Sequence, residues 1–316
     1  MEASNSSNPF SIYNFPEIFN MKHKDEYNGF LQEFKVLTDV GNDQPKVEAE
    51  LPANTMKNRY SYILPYDHSR VKLTLIDGKQ DSGYINANYI QGFSGANEYI
   101  ATQAPMPATF DDFWRMVWEK EVRIIVMLTV CEEHGKVLCD QYWPSETAAY
   151  GPFTVQKVSE VICKEWTIRH LTINRLKDVD SPVRHISQLH YTAWPDRGIP
   201  HNPSSLITFA ELVREEIQIT KGPGPTVLHC SAGVGRTGTF IALDVSLQQL
   251  KAGYCIDIFH TVYQMRLSRY LMLQTLEQYI FVHRCILEKS LQKGQATKHN
   301  YGSYEDAHSP GLGSSQ

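Results

Sequence analysis

Residues 227–238 have the sequence VLHCSAGVGRTG, and the rest of the chain is best interpreted from this stretch. Its apolar start predicts a buried strand, its small residues predict a tight loop, and the apolar residues of 240–247 predict a helix. A helix begins with unpaired N–H groups at the positive end of its dipole, and a glycine-rich turn can add a nest of N–H groups. The stretch therefore predicts an anion-binding loop between a strand and a helix.

Two side chains of this loop add chemistry to anion binding. Cys230 lies at the foot of the predicted nest, where a positive field favours the thiolate, the nucleophilic form of cysteine. Arg236 can fold back and hold an oxyanion with two parallel hydrogen bonds. The loop is thus suited to hold a tetrahedral dianion above a nucleophilic sulfur. The alternative is a buried cysteine in a glycine-rich turn, since a bare Cys and Arg at this spacing often occur by chance.

The composition of the 316-residue chain excludes several classes of protein. Its 42% hydrophobic and 21% charged residues allow a substantial core and exclude global disorder. A net charge of −5 gives no basic field for nucleic acid, so we expect no nucleic-acid partner. The six cysteines lack metal-ligand and disulfide-framework spacing, which predicts free thiols in a reducing compartment and no metal. The longest apolar run, residues 124–128, is too short to span a bilayer, and the first residues lack the pattern of a signal peptide.

The stretch 229–238, called the signature loop below, resembles the signature of the classical protein tyrosine phosphatases. Further motifs follow in the order of that family, among them YINANYI at 84–90 and YIATQAP at 99–105, and ILPYD at 63–67 is most similar to receptor-type members. The resemblance implies an α/β fold with a highly twisted mixed β-sheet flanked by helices on both sides. It also implies a hydrolase that removes phosphate from phosphotyrosine in proteins through a cysteinyl-phosphate intermediate.

The resemblance assigns the reaction to five side chains. Cys230 attacks phosphorus, Asp196 protonates the leaving phenol and later acts as general base, and Gln274 positions the hydrolytic water. Arg236 holds the equatorial oxygens, and Thr237 donates a hydrogen bond to the departing sulfur. No cofactor and no metal are implied, because the arginine and the backbone N–H groups supply the charge stabilisation. A reactive thiolate also predicts reversible inactivation by oxidation.

The predicted acid, Asp196, stands in the stretch 194–200, WPDRGIP, where a proline and a glycine bracket it. Such a loop suits a hinged flap, and a carboxyl group carried into a desolvated site can keep its proton near neutral pH. The resemblance favours this general acid. From the residues alone, an aspartate that caps the next helix is the stronger interpretation.

A second group of residues is implied to bind the substrate or to support the loop. The substrate-binding residues are Tyr60, Ser231, Ala232, Gly233, Val234, Gly235 and Gln278. The supporting residues are His229, Glu133, Tyr142 and Arg266. By resemblance Tyr60 stacks on the substrate phenol, and Glu133 pairs with the signature arginine. Tyr142 contacts His229, and Arg266 braces the signature loop.

Each of these residues also has an ordinary structural interpretation. Without the resemblance, Tyr60 is a half-buried loop aromatic, since aromatic side chains usually pack. Glu133 and Arg266 are then solvated charges, and Gln274 is a helix cap.

Four positions depart from the usual pattern of the family. Tyr62 stands where an Asp or Asn often holds the substrate backbone. Leu138 and His134 replace common lysines, so the cleft rim is less basic and we expect weaker steering of acidic peptides. Arg197 places a fixed charge beside the acid.

The resemblance and the composition of the two ends divide the chain into three parts. Residues 1–20 are predicted to be a partly disordered leader, 21–291 the catalytic domain, and 292–316 a disordered polar tail. Tyr301 and Tyr304 are candidate phosphorylation sites for adaptor binding, although such tail tyrosines are more often inert. The likeness to receptor-type members predicts a cytoplasmic location, as the cytoplasmic portion of a single-pass receptor whose anchor lies outside this chain.

Two other functions are compatible with the same residues. The first is a non-catalytic module that captures phosphotyrosine, since many receptor-type proteins carry a second, inactive domain of this fold. The enzyme is favoured because Asp196 and Tyr60, which such domains typically lose, are present. The second is a phosphatase for another ester such as a phosphoinositide. The missing rim lysines argue against it, because a polyanionic headgroup needs a cationic rim.

Overall fold

The computed structural model describes residues 9–176, 182–195, 198–220 and 222–305, without the side chains of residues 12 and 293–305. The predicted acid Asp196 and its neighbour Arg197 lie outside these ranges. The described chain forms a twisted, mixed, eight-stranded sheet with helices around it, which confirms the predicted fold class.

The described ranges contain both β-strands and α-helices. The strands are β1 (Ala87–Ile90), β2 (Tyr99–Thr102), β3 (Ile124–Met127), β4 (Glu132–Glu133), β5 (Lys136–Val137), β6 (Thr147–Tyr150), β7 (Phe153–Ile162), β8 (Trp166–Arg175), β9 (Arg184–Tyr191) and β10 (Thr226–His229). The α-helices are α1 (Phe15–Thr38), α2 (Val47–Glu50), α3 (Phe110–Glu119), α4 (Pro203–Thr220), α5 (Gly235–Ala252), α6 (Ile258–Ser268) and α7 (Leu276–Glu305).

The main sheet has the strand order β1-β2-β10-β3-β9-β8-β7-β6. Its centre is parallel, from β2 through β10 and β3 to β9, and antiparallel pairs extend it on both sides. Strands β4 and β5 form a separate hairpin. The signature loop therefore leaves the sheet at the carboxyl end of a central parallel strand, where open α/β sheets place their ligands.

Strand β10 is buried on both faces. Its successive side chains point to opposite sides of the sheet, and a hydrophobic cluster covers each side. Leu228 belongs to the hydrophobic cluster that contains Phe240 of α5, called the first core below. Val227 belongs to the cluster that contains Phe113 of α3, called the second core. Leu228 and Val227 are both fully buried. A near-continuous apolar run is typical of such a strand, which explains why it could be identified from sequence.

Helix α3 contributes aromatic side chains to the core. On α3, Phe113 and Trp114 are buried, and the ring of Phe113 lies 4.8 Å from that of Tyr142. This packing holds Tyr142 beside β10, next to His229.

The ends of the domain differ from the boundaries expected from composition. Helix α1 begins at Phe15, and Phe15 and Phe19 are buried in the first core, so residues 15–20 pack on the domain instead of forming a loose leader. The chain turns within α1, at residues 24–27, which interrupts the apolar periodicity that sequence reasoning follows. Helix α7 continues to Glu305, into the segment predicted to be disordered. No described helix has both the length and the hydropathy that a bilayer crossing requires.

Candidate active site

The signature loop joins β10 to α5, which begins at Gly235. Cys230 is buried at the base of the loop, with 5% of its surface exposed. Gly233 has a φ of 73°, and a Cβ at this position would overlap the carbonyl group of Thr102 on β2. Only glycine fits here, because both the left-handed backbone and the close approach exclude a side chain.

Arg269 holds the loop from behind. Its Nε donates to the carbonyl oxygen of Gly233 at 3.0 Å, and its Nη2 donates to that of Ala232 at 3.1 Å. The same guanidinium donates to the side-chain oxygens of Asn88 at 2.8 Å and Asn86 at 2.9 Å. The two asparagines belong to the stretch 84–90, so this motif of the resemblance has a direct link to the signature loop.

The other carbonyl groups of the loop also point outward. The carbonyl of Cys230 faces Nδ1 of His229 at 3.1 Å, and the carbonyl of Ser231 accepts from the N–H of Ala104 at 2.9 Å. In a trans peptide the N–H points away from the C=O of the same unit. The N–H groups of residues 231–234 therefore turn to the opposite side, where together they form a nest for an anion.

The sequence prediction that Arg266 braces the signature loop is wrong. Arg266 donates to the carbonyl oxygens of Met272 at 3.1 Å, Leu273 at 2.8 Å and Leu37 at 2.6 Å. It therefore holds the segment that leads to the predicted water-positioning glutamine. Arg269 braces the loop because it follows the last residue of α6 with an extended backbone, which turns its side chain toward β1. Burial lowers the pKa of both arginines to about 10, so both stay cationic at neutral pH.

Arg236, the second residue of α5, lies beside the nest. Its Nη1 donates to the hydroxyl of Thr129 at 3.1 Å, and its Nη2 lies 3.6 Å from a carboxylate oxygen of Glu133 in the β4–β5 hairpin. The predicted pairing with Glu133 is confirmed as a contact. Thr129, two residues after the end of the central strand β3, is a second anchor that sequence reasoning missed.

The flap reaches the same arginine. Nη2 of Arg236 donates to the carbonyl oxygen of Pro195 at 3.2 Å, and the indole N–H of Trp194 donates to the carbonyl of Gly198 at 3.2 Å. The first contact ties Pro195 to the signature arginine, and the second ties Gly198 back to Trp194. Asp196 lies between them in sequence but outside the described residues, so its role stays a prediction.

Tyr60 is attached to the signature loop through a hydroxyl pair. Its phenolic oxygen lies 2.8 Å from Oγ of Ser231, which donates to the carbonyl oxygen of Leu138 at 2.8 Å. Because the Ser231 proton is used in that second bond, Tyr60 is the donor in the first. Tyr60 is half-buried, and Tyr62, 64% exposed, has its ring centroid 6.0 Å from the ring of Tyr60. The two rings therefore lie side by side next to the signature loop.

The two predicted glutamines meet the start of α5. A Cβ on Gly235 would lie 3.1 Å from Nε2 of Gln278 and 3.2 Å from Oε1 of Gln274. The Oε1 atom of Gln278 also accepts from the N–H of Gln274 at 2.9 Å, while its own N–H donates to the hydroxyl of Thr275 at 3.2 Å. Gln278 therefore caps α7, whereas Gln274 is exposed beside the signature loop, where a water could be held.

Tyr142 contacts His229, as predicted. The phenolic oxygen lies 2.8 Å from Nε2 of the buried imidazole. Burial, the largest cause, lowers the pKa of His229 to about 3, so the ring is neutral at physiological pH. The histidine thus supports the loop as a hydrogen-bonding group without charge.

Other predicted residues have different surroundings. Val234 is buried in the first core, so it offers its backbone N–H and not its side chain to the site. The hydroxyl of Thr237 is buried and has no hydrogen-bond partner among the described atoms, and its role at the departing sulfur stays a prediction. Among the residues that the structure describes, no group of three or more His, Cys, Asp or Glu side chains could hold a metal ion.

The residues that sequence reasoning missed differ in the signal they left. Arg269 left a signal in the sequence, because it is the second arginine of the stretch 264–269, QMRLSR, three residues after Arg266. Thr129 had none, because a threonine after an apolar strand is ordinary in any sheet.

A comparison with protein families agrees with this geometry. A family model described as protein-tyrosine phosphatase matches residues 54–288. That range contains β1–β10, the signature loop and both glutamines, but not α1.

Individual relatives cover most of the chain. Receptor-type tyrosine-protein phosphatase V of Rattus norvegicus is 49% identical over 90% of this chain and 17% of its own length. Receptor-type tyrosine-protein phosphatase eta of Homo sapiens is 46% identical over 88% of this chain and 21% of its own length. Phosphatidylinositol phosphatase PTPRQ of Homo sapiens is 43% identical over 84% of this chain and 11% of its own length. The chain thus spans a small part of the length of each of these relatives.

Proposed function

The chain belongs to the protein-tyrosine phosphatase family, and on this basis we propose that it hydrolyses phosphotyrosine in proteins through a cysteinyl-phosphate intermediate. One observation carries the proposal. The carbonyl groups of residues 230–233 are all bound on the outer side of the signature loop, so the N–H groups of 231–234 turn to the other side, where with the adjacent Arg236 they can bind a dianion above Cys230.

In the first step the Cys230 thiolate attacks phosphorus opposite the phenolic oxygen. The S–P bond forms while the P–O bond breaks, and the electron pair goes to the phenolic oxygen, which takes a proton from Asp196. The loop N–H groups and Arg236 hold the three equatorial oxygens, where charge is greatest in the transition state. These donors are fixed beforehand by Arg269 and Thr129, so little reorganisation accompanies the reaction.

In the second step water attacks the cysteinyl phosphate. Asp196, now a carboxylate, takes a proton from the water, and the S–P electron pair returns to Cys230 as inorganic phosphate forms. Gln274 is the proposed holder of that water, because its side chain reaches the start of α5 beside the loop. Thr237 donates to the sulfur as it leaves.

The proposed preference for tyrosine rests on the likeness to the family, in which this tyrosine belongs to the rim of a deep cleft. In this chain Cys230 is 5% exposed, and the hydroxyl of Tyr60 is fixed to Ser231. A phenyl phosphate is long enough to reach the sulfur past this ring, whereas a seryl phosphate is too short. The ring also offers the flat surface on which a substrate phenol can stack.

The partners and location belong to the same proposal. The substrates are phosphotyrosine-containing proteins, and the similarity to receptor-type relatives supports a cytoplasmic portion of a single-pass receptor whose anchor lies outside this chain. Tyr301 and Tyr304 are proposed adaptor sites when phosphorylated. The less basic rim at Leu138 and His134 supports a protein substrate over a polyanionic lipid.

The test is steady-state hydrolysis of p-nitrophenyl phosphate, a phosphotyrosyl peptide and a phosphoinositide between pH 5 and 8. Turnover of the peptide is expected to vanish in Cys230→Ser and to fall steeply in Asp196→Ala, which should still bind it. Cys255→Ser is the matched control, because Cys255 is an exposed free thiol.

Two outcomes would overturn the proposal. Peptide binding by the wild type without turnover would make the domain a non-catalytic reader of phosphotyrosine. A phosphoinositide hydrolysed much faster than the peptide would move the substrate class to lipids.

A further inference from the structure

A chain of buried polar side chains leads away from the active site across β9 to β8. Arg169 on β8 lies opposite Gln188 on β9 in the antiparallel register, and His190 is two residues further along β9. The three side chains therefore share one face of the sheet. Gln188 is fully buried, and Arg169 and His190 are 9% and 5% exposed. None of them is used in the proposed reaction.

One nitrogen of Arg169 serves two neighbours. Its Nη1 lies 3.0 Å from Oε1 of Gln188 and 3.1 Å from Nδ1 of His190. Its Nε pairs with the carboxylate of Glu160 on β7, and its guanidinium lies 4.5 Å from the centroid of the Trp143 ring. The carboxylate of Glu160 and the ring of Trp143 thus hold the guanidinium in place.

The first branch ends at the nucleophile. Nε2 of Gln188 donates to the phenolic oxygen of Tyr142 at 2.8 Å, and that oxygen lies 2.8 Å from Nε2 of His229. Nδ1 of His229 lies 3.1 Å from the carbonyl oxygen of Cys230. This is the carbonyl whose outward direction turns the N–H of residue 231 into the nest.

The second branch ends at the signature arginine. Nε2 of His190 lies 2.7 Å from the carbonyl oxygen of Thr129, and the hydroxyl of Thr129 accepts from Arg236 at 3.1 Å. The residue that anchors the substrate-binding guanidinium is therefore itself attached to Arg169.

The proton positions along both branches follow from the fact that arginine only donates. Oε1 of Gln188 and Nδ1 of His190 must both accept. The Gln188 amide then donates a hydrogen bond to the Tyr142 oxygen, and the Tyr142 hydroxyl donates one to Nε2 of His229. His229 therefore carries its proton on Nδ1 and donates a hydrogen bond to the carbonyl oxygen of Cys230. His190, with Nδ1 occupied, carries its proton on Nε2 and donates to Thr129. Burial lowers the pKa of His190 to about 4, so this ring is neutral as well.

We infer that Arg169 is a positioning residue: through the Gln188 amide it selects the tautomer of His229, and by binding Nδ1 it holds the ring of His190. The two histidines in turn orient the Cys230 carbonyl and Arg236. This inference rests on the proposed phosphatase function for its kinetic effect, but the tautomers themselves exist without turnover. If Arg169 only filled space in the core, replacing it with an uncharged side chain of similar size would leave the tautomer of His229 unchanged. The two roles can therefore be separated by experiment.

The sharpest variant is Gln188→Glu, which keeps the size of the side chain and its bond to Arg169. A carboxylate cannot donate, so it accepts a hydrogen bond from the Tyr142 hydroxyl. With its only proton used in that bond, the Tyr142 oxygen must accept a hydrogen bond from Nε2 of His229. Nδ1 of His229 loses its proton and faces the Cys230 carbonyl as a second acceptor. We expect ¹⁵N NMR of histidine-labelled protein to change from the Nδ1–H to the Nε2–H form of His229.

The kinetic counterpart is a loss in kcat of up to about 100-fold for p-nitrophenyl phosphate, with KM changed by less than about threefold, because a small misplacement of the loop acts mainly in the transition state. Arg169→Met, measured in the same way, should free the Gln188 amide to rotate and let His229 populate its second tautomer. His190 should keep its Nε2 proton, because its Nε2 faces the carbonyl oxygen of Thr129. Arg175→Gln is the control, since Arg175 is an exposed arginine at the end of the same strand. It should retain wild-type tautomers and rates.

The inference fails if His229 keeps its Nδ1 proton in folded Gln188→Glu. It also fails if kcat of that variant stays within about twofold of wild type, since a misplaced loop should cost more. Wild-type protein that shows the predicted tautomers but hydrolyses none of the substrates would overturn the proposed function and leave the hydrogen-bond assignment standing. If Arg169→Met does not fold, Gln188→Glu decides the question alone.

Discussion

The hydroxyl of Tyr60 donates a 2.8 Å hydrogen bond to the hydroxyl of Ser231, the residue that follows the nucleophile. This contact joins two segments of the chain that are 171 residues apart in sequence. The Tyr60 ring, which is proposed to stack on the substrate, is therefore fixed relative to Cys230, the proposed nucleophile.

Tyr60→Phe keeps the ring and removes only this bond. We expect KM for a phosphotyrosyl peptide to rise about fivefold with kcat nearly unchanged, because a lost hydrogen bond of about 1 kcal/mol loosens the ring in the ground and transition states alike. Tyr62→Phe is the matched control, since Tyr62 is 64% exposed. Equal KM values for the wild type and Tyr60→Phe would show that the contact does not hold the ring.

Arg269→Met and Arg266→Met test which arginine braces the signature loop. Arg269→Met should weaken competitive inhibition by inorganic phosphate at least about tenfold, since it frees the carbonyls of Ala232 and Gly233. Both variants should lose roughly 2–5 kcal/mol of unfolding free energy, as measured by urea unfolding, because buried acceptors lose their donor. If Arg266→Met weakened phosphate inhibition as much as Arg269→Met, the assignment of the brace to Arg269 would be wrong.

Gly233→Ala and Gly78→Ala separate backbone strain from steric overlap. Both glycines have positive φ, 73° and 74°, but a Cβ at Gly78 meets nothing within 4 Å, whereas at Gly233 it meets the Thr102 carbonyl. Gly78→Ala should cost about 1 kcal/mol of unfolding free energy with unchanged activity. Gly233→Ala should abolish turnover of p-nitrophenyl phosphate. Comparable rates in the two variants would contradict the overlap.

Acid should destabilise the fold through buried neutral histidines. Burial lowers the pKa of His229 and His283 to about 3 and that of His190 to about 4. The unfolded chain binds protons at these rings below about pH 6.5 and the folded chain does not, so unfolding takes up protons and the free energy of unfolding decreases as the pH falls from about 6.5 to about 4.

The limiting slope is about 1.4 kcal/mol per pH unit for each histidine. His283→Gln, away from the signature loop, should make the dependence shallower, as urea unfolding between about pH 4.5 and 7 can measure. His185→Gln is a suitable control, since His185 is exposed. An unchanged slope in His283→Gln would contradict a neutral His283 in the fold.

Much of the site could be predicted because it is local in sequence. A strand, a glycine-rich turn and a helix start within one stretch position Cys230 and Arg236, and apolar runs reveal the strand. The long-range contacts could not be found in this way. Arg266 and Arg269 are one helical turn apart, and only the direction in which the chain leaves α6 gives the brace to Arg269. Thr129 acts through the adjacency of β3 and β10, which no local pattern encodes.

Strand β10 is hydrogen-bonded on both sides and contributes side chains to both cores. Its amide protons can therefore meet solvent only when the whole domain opens, and Cys230, one residue further, is tied to the same event. Native-state hydrogen exchange of Val227 and Leu228 should then report the global unfolding free energy. On heating, activity and folded structure should therefore be lost at the same temperature. A folded but inactive species should not appear at a lower temperature.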